Sequence, residues 1–347
     1  MLRVGIAGLG FMGMIHYHAF GRIPGVRVDA ISTRDPKKLA GDWTGIQGNF
    51  GPRGTRMDLS GVRTYPDLDA MLADPKLDLI DVTLPTERHL DVTLAALKAG
   101  KHVLVEKPIA LQPAEGRRMA AAARKARRKL LVAHVLPFFP EYAAAYKLAT
   151  SGRFGKLLGG HFKRIISRPD WSKAALDYSR SGGPAVDLHI HDTHYIRNLF
   201  GMPKAVFSRG VQAGGGVQYL TTQYIYADPG LTLSASSGAV SQSGRSFTHG
   251  FEIYLERGTL CFEWANQGGQ PTPVMPLTLF KPDRSAERVK LGSSDPVEAF
   301  VGELKYAADA LRGKHDGKLL AAEGALAALT LCHKEIESVR SGRVVKV

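Results

Sequence analysis

A glycine pattern close to the N-terminus restricts the fold of this chain more than any other feature. Gly8-Leu9-Gly10-Phe11-Met12-Gly13 reads G-x-G-x-x-G and follows an apolar run at residues 3–7. The run predicts a buried strand, and the residues after the glycines predict a helix, so the pattern occupies a strand-to-helix turn. Each glycine then has its own role. Gly8 permits the tight turn, Gly10 lets backbone approach a diphosphate, and Gly13 lets helix and strand pack closely. The diphosphate would rest on the helix N-terminus, where N–H groups and the helix dipole favour anions. Without those flanks the hexapeptide would be a structural turn. With them it predicts a dinucleotide site at Gly8, Gly10, Phe11, Met12 and Gly13.

The next hundred residues continue the same rhythm. Short runs rich in Val, Ile and Leu at residues 3–7, 26–32, 79–84, 102–105 and 130–134 predict strands buried on both faces. Between them, residues 86–99 predict a helix with Leu90, Leu94 and Leu97 on one face, and Pro113 opens another. Alternating strands and helices predict an α/β fold, a doubly wound parallel sheet over residues 1–135. Residues 136–347 predict a second, α+β domain with an open, mostly antiparallel sheet, the last residues returning to the first domain. Its signals are a helix at 141–151 and strands at 157–166, 205–212, 219–227, 231–236, 251–255 and 259–264. Two closing helices follow. Asp295, Pro296 and Glu298 predict an N-cap, an N1 proline and a capping-box acid for the first; the second, 320–340, would bury Leu326, Leu329, Ile336 and Val339. Residues 41–61 interrupt the pattern with Gly41, Gly45, Gly48, Gly51, Gly54, Gly61 and Pro52 and show no period, which suits a functional loop or a flexible one.

Charge needs an explanation, because 46 Lys and Arg against 32 Asp and Glu give a formal +14. Much of the excess lies in Arg117, Arg118, Arg124, Lys125, Arg127, Arg128 and Lys129, interleaved with Met119, Ala122, Ala123 and Ala126. That spacing predicts the solvated face of a helix rather than a nucleic-acid surface, since no recognition helix, zinc finger or aromatic stripe accompanies it. No apolar run reaches the length of a membrane span. Cys261 and Cys332 are too few for a disulfide framework and lack zinc-site spacing. A cytoplasmic location fits, with no membrane or nucleic-acid partner.

The end of the second predicted strand should select the nicotinamide cofactor. An acid about 20 residues after the glycines would bond a ribose 2′-hydroxyl, whereas an arginine accommodates a 2′-phosphate. Ser32-Thr33-Arg34 stands there, with Lys37 and Lys38 close by. Asp35 could bond a ribose, but Asp35-Pro36 reads as the cap of the next helix. NADP(H) is therefore favoured, with NAD(H) the alternative.

Three later stretches carry a family resemblance. Thr83-Leu84-Pro85, then His89, then Ala99 through Glu106-Lys107-Pro108, resembles the Gfo/Idh/MocA oxidoreductases. Gly182-Gly183-Pro184 with Asp187 and His191, ending Leu199-Phe200-Gly201, looks like that family's second signature, and residues 338–347 are similar to its C-terminal tail. The resemblance implies a Rossmann domain followed by an α/β domain whose open sheet mediates dimers or tetramers. It implies reversible oxidation of a hydroxyl on a sugar, cyclitol or related polyol. It also places Thr83, Pro85, His89, Glu106 and Lys107 at the cofactor, Lys107 also against substrate, and Asp187 with His191 as the acid–base pair.

The residue types suit that chemistry on their own terms. Hydride transfer from a secondary alcohol requires a base for the hydroxyl proton. On one α-helix, Asp187 and His191 would share a face, letting the carboxylate orient the imidazole and stabilise its cation. Lys107, following a strand's C-terminal end, could polarise the reacting oxygen. Asp187, His189, His191, Asp192 and His194 could instead suggest a metal site, although on a helix only Asp187, His191 and His194 could converge, and the expectation is no metal. Two other functions use the same fold: a catalytically silent nucleotide-binding regulator, and a glycoside hydrolase that keeps NAD bound.

Overall fold

The computed structural model describes residues 1–48, 51–168, 177–292, 295 and 297–347, in two compact units. The first comprises residues 1–138 with 293–326, and the second residues 139–292 with 327–347.

The first unit is built on a six-stranded parallel sheet in the order β3-β2-β1-β4-β5-β6. The strands are β1 (Leu2–Ala7), β2 (Val26–Ser32), β3 (Arg63–Tyr65), β4 (Leu79–Val82), β5 (His102–Glu106) and β6 (Leu130–Ala133). All four residues of β4 and of β6 are buried, as expected of strands covered by helices on both faces. Helices α1 (Phe11–Gly21), α2 (Pro36–Leu39), α3 (Leu68–Leu72), α4 (His89–Lys98) and α5 (Pro113–Ala126) make the crossovers. Strand order reverses between β1 and β4, and open α/β sheets bind ligands at the carboxyl ends of such strands.

Helix α5 has part of the anatomy expected from its sequence: it ends at Ala126, so Arg127 is its left-handed C-cap and Arg128 and Lys129 lie beyond it rather than on its solvated face. Gly116, Met119, Ala120 and Ala123 are buried, while Arg117, Arg118, Arg124 and Lys125 are exposed. A capping box of Gln112 and Glu115 closes its start.

The described residues of 41–48 and 51–61 are held by local order. The Trp43 ring is 0% exposed, lies edge-on to Tyr17 at 4.9 Å between centroids, and donates its indole N–H to the Lys38 carbonyl at 3.0 Å. A bridge joins Asp42 to Arg56, and Gly54 N–H donates to the Ile46 carbonyl at 2.9 Å. The segment thus carries a small core of its own.

A helix from the later part of the chain, α9 (Glu298–Leu311), completes this unit by packing on α1. Its start differs from the expected cap. Asp295 accepts from Val297 N–H at 2.9 Å, yet Val297 holds the N-cap position without a side-chain bond, and Glu298 pairs with Arg22 at 3.2 Å instead of closing a capping box. Pro296 lies outside the described residues.

The second unit holds a nine-stranded sheet in the order β14-β13-β12-β11-β7-β10-β9-β8-β15. Its strands are β7 (Leu157–Ser167), β8 (Ala205–Ala213), β9 (Gly216–Ile225), β10 (Thr232–Ser241), β11 (Phe247–Leu255), β12 (Gly258–Gln267), β13 (Gln270–Phe280), β14 (Ala286–Arg288) and β15 (Val345–Lys346). Pairing is antiparallel except between β7 and β10, which run parallel over nine residue pairs, Thr232↔Gly159 to Ser241↔Ser167. The parallel pair is possible because helices, not a tight turn, follow β7 in the chain. Strand β15 sets the last residues beside β8 at this sheet's edge, and the stretch that joins the first unit is 293–326. One face of the sheet is buried: along β9, Leu220, Thr222 and Tyr224 point inward while Thr221, Gln223 and Ile225 are exposed. Helices α6 (Pro140–Ala149), α7 (Tyr178–Ser181), α8 (Ile190–Phe200) and α10 (Ala322–Ser341) accompany it. Leu329 and Val339 of α10 are buried, Leu326 and Ile336 partly so.

Candidate active site

In the first unit, the carboxyl ends of β1, β2 and β4 open onto one cleft of about 740 Å³. Its walls bring together Gly8, Gly10, Phe11, Met12, Ser32, Thr33, Arg34, Thr83 and Pro85, each expected at the cofactor from sequence. The glycine turn fits a diphosphate cradle. Gly8 adopts φ +100°, and a Cβ on Gly13 would stand 2.3 Å from the Gly8 carbonyl oxygen, so any side chain there would push α1 off β1. A Cβ on Gly10 would meet nothing within 4 Å, leaving open space over the backbone. No side chain caps α1, whose N-terminus faces this turn. Thr83 fixes the turn from the far side, its hydroxyl donating to the Gly8 carbonyl at 2.7 Å.

At the end of β2, Asp35 caps α2: its carboxylate accepts from Lys37 N–H at 3.0 Å. Arg34 is exposed beside it in the cleft wall. Lys38, which the sequence marked only as a nearby charge, reaches back so that its Nζ donates to the Leu9 carbonyl at 2.8 Å. Pro66, Asp67, Leu68 and Arg88 also line the cleft and were missed. Their signal was the end of β3, a strand too short to read, and the turn into α4.

Gly13, His89, Glu106 and Lys107 do not line this cleft. His89 is a buried clamp: its Nδ1 lies 2.9 Å from the Pro108 carbonyl and its Nε2 2.9 Å from the Leu84 carbonyl, tying the β4 loop to the turn after β5. Burial pushes its imidazole below the ordinary value, against the pull of those carbonyls. Glu106 accepts the Lys107 backbone N–H at 3.0 Å and lies 3.2 Å from His16 Nε2. His16 Nδ1 is 2.9 Å from Asp81. Burial alone would lower the His16 imidazole, but Asp81 and Glu106 outweigh it and hold it well above its usual value. Glu303 of α9, 0% exposed, faces the same three groups, and burial drives its carboxyl well upward. Lys107 itself is half-buried, at the carboxyl end of β5.

In the second unit, Gly182 and Gly183 both have positive φ, and a Cβ on Gly183 would crowd the Tyr178 ring at 2.9 Å. They lead into a single π-helical turn, Pro184–Leu188, followed by α8. This corrects the expectation that Asp187 and His191 share one α-helix: Asp187 lies in the wider turn and His191 in the first turn of α8, with His189 at the junction. Both side chains keep partial exposure, whereas His189, Asp192 and His194 are buried. Asp192 is engaged by Arg164 through two hydrogen bonds of 2.8 and 3.0 Å. Burial, with Arg197 adding to it, pushes His194 down to about 3. No group of three or more His, Cys, Asp or Glu able to hold a metal occurs among the described residues.

A parallel sheet with a glycine cradle at its switch point, joined to a unit built on an open sheet, defines the class of two-unit dinucleotide-dependent oxidoreductases. Residues 2–134 match the family profile described as oxidoreductase family, NAD-binding Rossmann fold, and residues 142–261 match the GFO/IDH/MocA C-terminal domain. The chain belongs to the Gfo/Idh/MocA oxidoreductase family. It is 26% identical over 366 aligned residues to an inositol 2-dehydrogenase of Rhizobium meliloti, covering 100% of this chain and 99% of that protein. It is 31% identical to a myo-inositol 2-dehydrogenase of Thermotoga maritima, over 58% of this chain and 55% of the relative, so that match spans about half of the relative's length. An Agrobacterium radiobacter oxidoreductase solved with NAD+, L-tartaric acid and magnesium shares the fold, with TM-score 0.80, 19% identity, and 99% and 98% of the two chains covered. No described helix is long and apolar enough to cross a membrane.

Proposed function

We propose that the chain is an NADP(H)-preferring dehydrogenase or reductase acting on a hydroxyl or carbonyl of a sugar, cyclitol or related polyol. One observation carries the cofactor preference: the cleft wall at the end of β2 presents Arg34 beside Ser32 and Thr33, while Asp35 accepts from the Lys37 backbone. Only Oδ1 of Asp35 is engaged as the cap, so the preference rests on Arg34, whose guanidinium suits a phosphate. Lys38, held at the glycine turn, adds a second cation beside Arg34. The relatives' names, inositol dehydrogenases among them, support the polyol class.

In this reading Gly8 to Gly13 bind the diphosphate, and Thr83 and Pro85 border the route toward the nicotinamide. When bound, the dinucleotide supplies the hydride acceptor or donor. His191 takes the hydroxyl proton as the carbon–hydrogen bond yields its hydride and the carbonyl forms; the reverse reaction returns that proton. Asp187 orients the imidazole, and the Lys107 ammonium polarises the reacting oxygen. Glu106 anchors the Lys107 backbone through the 3.0 Å hydrogen bond. Exposed Val211, Ile225, Tyr254, Val274 and Phe280 on the strands of the second unit support assembly into dimers or tetramers, which light scattering would measure.

Paired titrations with NADPH and NADH, followed by cofactor fluorescence, test the reading. Tighter NADPH binding that weakens in Arg34→Ala is expected, followed by turnover in a polyol and sugar screen. Equal or tighter NADH binding overturns the cofactor choice. Binding of both cofactors without turnover on any polyol would favour a silent regulator, and glycosidic cleavage without net cofactor reduction a hydrolase.

A further inference from the structure

The junction between the π-turn and α8 is pinned by a side chain that the proposed chemistry does not use. His189 is 0% exposed and lies between Asp187 and His191 in sequence. Its Nδ1 is 2.7 Å from the Ser237 hydroxyl on β10, and its Nε2 is 2.9 Å from Glu335 on α10 and 3.3 Å from the Tyr224 hydroxyl on β9. Thr193 closes the arrangement through its backbone, donating its hydroxyl to the His189 carbonyl at 3.1 Å. Glu335 is also 0% exposed. The π-turn replaces the i→i−4 bonds of an α-helix with a wider one, His189 N–H to the Pro184 carbonyl at 3.0 Å, and the ladder changes register at His189 where α8 begins. Here three separate elements grip one imidazole at the residue where the ladder changes.

We propose that His189 and Glu335 form a buried positioning pair that sets the direction of Asp187 and His191. The proposal rests on the acid–base reading of those two residues. A buried carboxylate with no partner beside it is costly, as is an unpaired imidazolium, so each partner holds the other in place. The titratable groups facing the pair are Arg164 of β7 and Asp192 of α8, themselves joined as a bidentate ion pair, together with the neutral Tyr224 and Tyr226 hydroxyls and the Cys332 thiol. Burial would lower the His189 imidazole; Glu335 outweighs that and holds it above its ordinary value. Removing Glu335 takes away one of the three side-chain partners of His189 and the carboxylate that holds its imidazole up. The turn can then rotate, and a misplacement of about 1 Å at a reacting group costs on the order of 100-fold in rate.

The deciding readout needs no knowledge of the substrate. The histidine ring resonances of the full chain are followed by NMR across pH, with His191 assigned from the His191→Asn spectrum. In Glu335→Ala and in His189→Leu, the His191 ring is expected to change chemical shift and to titrate ~0.5 pH unit or more away from its wild-type midpoint. Glu335→Gln, which keeps a hydrogen-bonding group at the same place, restores most of the wild-type behaviour. NADPH affinity stays within about twofold throughout, because the glycine cradle belongs to the other unit. An unchanged His191 titration in both Glu335→Ala and Glu335→Gln overturns the proposal. Should Glu335→Ala fail to fold, His189→Leu and His189→Gln decide it: a His191 titration unchanged from wild type in both overturns the proposal. Full turnover in His191→Asn would sink the acid–base reading alone and leave the wild-type spectrum as it was.

Discussion

Replacing Trp43 with alanine gives the sharpest test of how the glycine-rich segment bears on the cofactor cleft. The indole is wholly buried, packs edge-on against Tyr17 of α1 and donates to the Lys38 carbonyl. Truncating a buried Trp to Ala costs about 3–5 kcal/mol, of which the lost hydrogen bond accounts for about 1 kcal/mol. For a unit of this size that lowers the melting temperature by roughly 6–20 °C. Trp43→Phe keeps most of the apolar area and loses only the donor, so it should cost about 1–2 kcal/mol. Because Trp43 grips the residue whose ammonium reaches the Leu9 carbonyl, NADPH binding should weaken as well, by about three- to tenfold. Differential scanning calorimetry and NADPH fluorescence titration read both effects. If Trp43→Ala melts within about 1 °C of Trp43→Phe and binds NADPH equally well, residues 41–57 are an appendage and their burial does nothing for the cleft.

Other outcomes follow from the same geometry. Lys107→Met and His191→Asn should each lower kcat by about 100-fold or more on any polyol that the wild type oxidises, with cofactor affinity unchanged. Arg34→Ala should weaken NADPH by about 10–100-fold and leave NADH nearly untouched, read by the same fluorescence titration. Gly13→Ala should abolish tight binding of both cofactors, because its Cβ would lie 2.3 Å from the Gly8 oxygen; retained affinity would show that α1 can shift without cost. Glu303 gives a pH dependence with a definite sign. Burial raises its carboxyl well above the ordinary value of 4.5, so the folded state keeps a proton that the unfolded chain releases. Stability is therefore fully present below about pH 4.5 and falls as pH rises from there through the folded value. Glu303→Gln should flatten that decline in urea midpoints measured between about pH 5 and pH 8, and an unchanged slope would mean that Glu303 ionises freely.

Much of the first unit could be read from the chain because its strands are uniformly apolar and its turns are marked by Gly and Pro. β3 escaped because three residues, Arg63–Tyr65, with none of them buried, present no pattern. β13 escaped for a different reason: Pro271, Pro273 and Pro276 interrupt it, and two register shifts in its pairing with β12 accommodate them. The glycine cradle was legible residue by residue, since backbone geometry demands glycine there. Lys38 as a contact to the Leu9 carbonyl was not, because that contact depends on how α2 is seated by Trp43, which lies beyond it in sequence. The π-turn was equally hidden. Asp187 and His191 have the spacing of a regular helix, and only the grip on His189 from β9, β10 and α10 reveals that the ladder widens between them. The His16, Asp81, Glu106 and Glu303 cluster joins four elements spread over most of the chain, a distance that no local pattern spans.

The segment 293–326 completes the unit that holds β1, and this sets a timetable for folding on the ribosome. By the time residue 138 has been made, all six strands of the parallel sheet exist, but α9 has not been synthesised, and α1 lacks the helix that packs on it and sets Phe300 against His16. At about 5–20 residues per second the wait lasts roughly 10–40 s. During that interval the nascent sheet is a partly clothed intermediate with apolar surface that a chaperone could hold. The dinucleotide cradle, lined by residues 8–88, is complete in sequence long before α9 is made.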